Sequence, residues 1–192
     1  MTKPYTGVTL VRKLTALAAA IALVFALSAG PASAQTINTP PVVVDRTAVT
    51  LTYAPFAGTS TTNAAVSWRF DPKWDLLLSY TSAPAGLTAF RFGGRYHVTP
   101  PSPSFDTYLT IQDFSPSTGA SRIELGGGLT QTLAPGLKSY GAVTYVSAAA
   151  APYIAGNVGF QYELNRQFAL VAGYDLFFAI GYIGINFDFA TR

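Results

Sequence analysis

In the stretch "FRFGGRYHV" (residues 90–98), Phe90, Phe92, Tyr96 and Val98 alternate with Arg91, Gly93, Arg95 and His97. A period of two puts the two sets on opposite faces of a β-strand. Similar short alternating segments recur along the chain, separated by Pro, Gly, Ser, Asn and Asp, and no stretch after residue 35 sustains a 3.6-residue period. The pattern predicts ten strands: 47–54, 63–70, 74–82, 88–98, 105–114, 121–131, 137–147, 153–163, 167–175 and 179–189.

The connections suggest how these strands are joined. "DPK" (71–73), "LAPG" (133–136) and "LNRQ" (164–167) are tight and follow the second, sixth and eighth strands, so they share one end of the sheet. "TPPSPS" (99–104) lies at that end too and is longer, while "APFAGTSTT", "SAPAG", "SPSTGA" and "SAAAAP" lie at the other. Short turns at one end and somewhat longer loops at the other fit an all-β, up-and-down antiparallel transmembrane barrel. The hairpin around Leu176–Phe178 lacks turn residues; without it the alternative is eight strands.

Sorting by parity gives two unlike faces. One carries Val66, Trp68 and Phe70, then Trp74, Leu76, Leu78 and Tyr80, and continues through Phe92, Leu125, Val143, Val158 and Ile185. The other carries Arg69, Asp75, Arg91, Arg95, His97, Arg122, Glu124, Lys138, Glu163 and Asp188 among Gly, Ala, Ser, Thr and Asn. In a soluble lipocalin-like barrel the first set would turn inward and leave a poorly solvating exterior. In a membrane barrel the first set meets lipid. Each Arg on a lipid face costs about 2–4 kcal/mol near the midplane, so reversing Arg91 and Arg95 would cost about 4–8 kcal/mol. The arginines are therefore expected to point inward. Aromatic residues also fall into two belts: Tyr53, Tyr80, Tyr145 and Tyr174 near one end, and Phe70, Trp74, Tyr96, Phe105, Tyr162, Phe168 and Phe187 near the other.

Composition agrees with this reading. Charged residues make up 11% of the chain, less than half the ~25% typical of soluble domains. The first 34 residues read as a cleaved secretory signal: a basic start, the apolar run "LTALAAAIALVFALSAG" and the small-residue site Ala32-Ser33-Ala34. Residues 35–46 read as an extended lead-in and 47–192 as one barrel domain. Lys3, Arg12 and Lys13 belong to the signal; without them the twelve basic residues fall to nine, equal to the nine acidic ones. No basic excess remains to attract nucleic acid. The chain has no Cys, hence no disulfide.

On these features the chain resembles the small bacterial outer-membrane β-barrel proteins. The ending "GYIGINFDF" is similar to the alternating C-terminal strand that the barrel-insertion machinery reads, although here Ala190-Thr191-Arg192 follow the final aromatic. The resemblance implies an outer-membrane location, membrane lipids and the insertion machinery as partners, and a structural or envelope role or a narrow pore for small solutes.

Chemistry is sparse. A single His and no Cys give poor support for a metal site, and no cofactor is expected. "GGRY" and "GGG" are not phosphate loops, because neither opens a helix nor carries the completing Lys-Ser/Thr. Strand glycines more often let a barrel bend or a neighbouring ring pack over the backbone. A His–Ser–acid site would have to use His97, expected at the inner end of the fourth strand. The resemblance implies catalytic groups toward the outer rim instead.

The inward charges pair more readily than they react. Closing "DPK" as a hairpin puts Arg69 opposite Asp75; pairing the fourth and fifth strands puts His97 opposite Asp106 and Arg91 near Gln112, with Glu124 one strand further. Exchanging Arg69 with Asp75 should then preserve part of the pair. These groups either line a narrow pore or plug the barrel, and the reading favours a plug or very narrow passage. Two alternatives remain open: an outer-membrane barrel enzyme acting on lipid or peptide, and a secreted soluble ligand-binding barrel.

Overall fold

The computed structural model describes residues 47–56, 59–83, 86–98, 104–147, 152–177 and 179–188; the expected signal and lead-in lie outside them. Ten strands run in chain order: β1 (Ala48–Phe56), β2 (Thr59–Asp71), β3 (Trp74–Ser82), β4 (Thr88–His97) and β5 (Phe105–Pro116) are followed by β6 (Arg122–Ala134), β7 (Leu137–Val146), β8 (Tyr153–Glu163), β9 (Phe168–Asp175) and β10 (Ile180–Asp188). Each pairs antiparallel with its chain neighbours, and β1 closes on β10 in a ladder that includes Leu51↔Ile185. The fold is a closed, up-and-down, ten-stranded antiparallel barrel.

One connection differs from the expectation in detail, and the last hairpin forms as expected by a route its turn residues do not announce. "APFAGTSTT" is largely strand, with Phe56 paired to Thr59 across residues 57–58. The β-branched threonines after Gly58 suit a pleated ladder better than an open loop. The last hairpin forms although it lacks turn residues. Asp175 Oδ1 accepts the N–H of Phe177 at 3.0 Å, an Asx turn built from a strand-end carboxylate. Ala179 then takes a left-handed φ of 56°, which costs an alanine more than a glycine.

Two β-bulges sit at the tight-turn end. One lies between Arg69 and Asp71 in β2, next to a turn in which Lys73 N–H donates to Asp71 Oδ1 at 2.8 Å. The other lies between Thr132 and Ala134 in β6, before Gly136 at φ 75°. An extra residue in one strand bends it and increases its twist, which helps a sheet curl closed.

The faces sort as the period of two requires. Leu51, Trp68 and Phe92 are 57%, 53% and 49% exposed on the outside, whereas Arg91 and His97 are 1% and 0% exposed inside. Bulky apolar groups outside and charges inside invert the soluble arrangement and match a wall solvated by lipid. At the tight-turn end the outer aromatics pair across strands: Trp74 with Tyr96 at 5.0 Å between ring centroids, and Phe168 with Phe187 at 4.9 Å. At the other end Tyr53, Tyr80 and Tyr145 are exposed on the same face. Two aromatic rings around an aliphatic band remain after folding.

Candidate functional site

The lumen is stacked in three layers. At the tight-turn end Asp75 lies in register with Arg69 on β2 and with Arg95 on β4, so its carboxylate has a guanidinium on each side. Arg69 Nε is 2.5 Å from Oδ1, and Arg95 Nε is 2.7 Å from Oδ2. Arg95 Nη2 reaches the same oxygen and donates to Ser67 Oγ at 2.6 Å. Bringing such charges out of water costs several kcal/mol per ion, offset only when attraction and hydrogen bonding are nearly complete. Here they are.

His97 completes the layer. Its Nδ1 is 2.8 Å from Asp106 Oδ2, and its Nε2 is 2.7 Å from Arg69 Nη2 and 3.0 Å from Asp75 Oδ2. In the neutral ring with the proton on Nδ1, Asp106 accepts and the Nε2 lone pair receives Arg69. When protonated, Nε2 donates to Asp75 instead. The observed register places His97 opposite Tyr108, not Asp106. The expected partner is reached diagonally, two residues along β5, so the side-chain contact holds although the ladder is offset. Asp75 also has three ionisable partners where the sequence suggested one. A charge exchange with Arg69 would set the new arginine against Arg95 and His97, so the expected partial recovery does not follow from this geometry.

The middle layer is aromatic. Tyr108 lies in register with Gly128, Tyr140 with Gly159, and Tyr182 with Gly173. At each glycine an added Cβ would collide with the facing tyrosine ring, so each ring lies over bare backbone. Tyr140 Oη and Tyr182 Oη are 2.9 Å apart, and Arg95 lies over the Tyr108 ring at 5.4 Å, joining this layer to the first. These tyrosines share the parity of the inward charges, and the sequence reading passed over them. The signal was available as a Tyr facing a Gly on the adjacent predicted strand.

At the loop end Arg91 Nε donates to Glu124 Oε2 at 3.0 Å, with both side chains buried. Arg91, Phe114 and Arg122 follow one another across β4, β5 and β6, and both guanidinium groups lie over the Phe114 ring, at 4.4 and 5.7 Å. The residue opposite Arg91 is thus Phe114; Gln112 faces Gly93 on β4 and Glu124 on β6. Lys138 and Glu163 pair at 3.4 Å at the tight-turn end, where Asp188 is buried. The expected lumen residues therefore divide into an Arg69–Asp75–Arg95–His97–Asp106 network, an Arg91–Glu124 pair beside Arg122, and a Lys138–Glu163 pair with Asp188 beside it.

His97 and Ser67 do not form a Ser–His pair. Both nitrogens of His97 are engaged by Asp106, Arg69 and Asp75, while the nearby Ser67 hydroxyl bonds to Arg95 and, at 3.5 Å, Asp75. A Ser–His nucleophile pair needs one imidazole nitrogen facing the hydroxyl. Among the described residues no group of three or more His, Asp or Glu side chains is placed to hold a metal.

No family model matches the chain, and none of the curated proteins does. Among solved structures it is similar to a designed transmembrane β-barrel, with 14% identity over 79% of this chain and 98% of the other and a TM-score of 0.40. It is also similar to the KdgM porin in complex with disordered oligogalacturonate (11% identity, 74% and 99% covered, TM-score 0.48). A third is the translocator domain of the autotransporter NalP from Neisseria meningitidis (11%, 94% and 98%, 0.33). Likeness of this order assigns neither family nor activity. Strand order, apolar exterior and packed polar interior define the class: a small transmembrane β-barrel. Its particular character is a lumen occupied by its own side chains.

Proposed function

We propose that the chain is an exported bacterial outer-membrane barrel with a non-enzymatic envelope role, its lumen sealed by its own side chains. The observation that carries this reading is the tyrosine layer. Tyr108, Tyr140 and Tyr182 are buried in the lumen, Arg95 lies over the Tyr108 ring, and Tyr140 and Tyr182 pack with Val171, Ile180 and Ala54. Arg91, Arg95, Tyr182, Leu77 and His97 are among the largest fully buried side chains, and all point into the lumen. A passage for solutes needs open cross-section where these groups sit.

Planar-bilayer recording on the purified full chain tests the seal. The wild type should add no discrete conductance, and the Tyr140→Ala, Tyr182→Ala double variant should open steps. A steady porin-sized conductance from the wild type would refute it. Fractionation tests the location: the protein should follow outer-membrane markers and migrate faster on gels when unheated. Recovery as a soluble periplasmic protein excludes the membrane reading.

A further inference from the structure

At the tight-turn end, across the lumen from the Asp75 network, a cavity of about 260 Å³ opens between β8, β9, β10 and their turns. Gln161, Glu163, Arg166, Gln167, Asn186 and Asp188 line it. One step deeper along these strands, β8 carries Gly159 under the Tyr140 ring, β9 carries Val171 and β10 carries Gly184, followed by Tyr182. The cavity is therefore a cup with a polar wall and an apolar ceiling.

Three features make it a built site. Gln161 lines the cavity and is only 2% exposed, and its Oε1 has no hydrogen-bond partner. Burying an amide oxygen without a partner costs about 1–3 kcal/mol, so the fold keeps a recognition group unsatisfied there. The wall is also preformed. Asn165 Oδ1 accepts the N–H groups of Gln167 at 2.8 Å and Phe168 at 2.9 Å, and Glu163 N–H donates to Gly136 O at 2.7 Å, tying adjacent turns together. The charges balance as well: Glu163 and Asp188 are matched by Arg166 and by Lys138, which pairs with Glu163.

We propose that this cup binds a small neutral polyhydroxylated solute, about the size of one sugar ring. A hydroxyl both donates and accepts, so it satisfies either end of the Gln161 amide and also the carboxylate and guanidinium neighbours. A cation would meet Arg166, an anion would meet Glu163 and Asp188, and an apolar molecule would leave the polar wall unpaired. The apolar ceiling makes this a binding site and not a passage, and it stands whether or not the lumen conducts.

The probe is D-glucose, added to the full chain folded in amine-oxide micelles, which carry no sugar headgroups, and read by saturation-transfer NMR. Ethanolammonium and acetate serve as charged comparators. The wild type should transfer saturation to glucose and to neither comparator, and Gln161→Leu should weaken glucose binding about tenfold, the effect of one lost hydrogen bond. Unheated gel mobility checks that each variant is folded. Gln161→Asn keeps the amide but withdraws it by one methylene; it should weaken glucose too and is read if the leucine variant does not fold. No transfer to glucose, undiminished transfer in a folded Gln161 variant, or stronger transfer to either charged comparator overturns the proposal.

Discussion

Tyr182 and Gly173 stand directly opposite each other on β10 and β9, and the tyrosine ring occupies the space a Cβ at residue 173 would need. The glycine is there for what crosses it. Gly173→Val should destabilise the barrel by about 1–3 kcal/mol through overpacking. Adding Tyr182→Ala should return part of that loss, because the colliding atoms belong to side chains and not to backbone. A folding titration in urea with lipid vesicles measures the coupling; strict additivity would mean the ring does not lie over residue 173.

Asp75 is the shared anion of the first layer, so its loss strands Arg69, Arg95 and His97 together. Asp75→Asn should cost about 3–5 kcal/mol, the usual penalty for leaving buried charge uncompensated. The Arg69→Asp, Asp75→Arg exchange should be no more stable than Asp75→Asn, since the new arginine faces Arg95. Full recovery by the exchange would show that Arg69 and Asp75 form an isolated pair.

The two lumen Glu residues should behave differently for reasons of solvent. Glu124→Gln removes the charge facing buried Arg91 and should cost about 3–5 kcal/mol. Glu163→Gln breaks a contact with Lys138 that water reaches, and should cost about 0–1 kcal/mol. Equal losses in the same folding assay would contradict the burial difference.

Depth should govern charge on the outer wall. Leu78→Arg and Val158→Arg, in the aliphatic band, should cost about 2–4 kcal/mol each, whereas Tyr80→Arg in the aromatic belt should cost about 0–1 kcal/mol. Stability in vesicles of defined thickness gives the comparison. A water-exposed wall would make all three substitutions nearly neutral.

Much of this protein can be read from the order of its residues, because a strand's faces are set by parity alone. Arg91, Arg95 and His97 alternate with Phe90, Phe92 and Tyr96 in the chain, and no tertiary contact is needed to separate them. The Asp71-Pro72-Lys73 turn fixed the β2–β3 register closely enough to place Arg69 opposite Asp75. Where the local signal was silent, the tertiary structure decided. The last hairpin depends on the Asp175 side chain and on an alanine held at positive φ, which local turn statistics do not foresee. The offset between β4 and β5, which puts His97 opposite Tyr108, is set by pairing along the whole ladder. The curl of the consecutive strands β2 to β5 brought Arg69 and Asp106 to His97, and Arg95 to the Asp75 carboxylate beside it. Closure also turned Tyr108, Tyr140 and Tyr182, aromatic residues of inward parity, into the filling of the lumen: a small closed barrel must pack its interior, and a ring facing a glycine has room to do so.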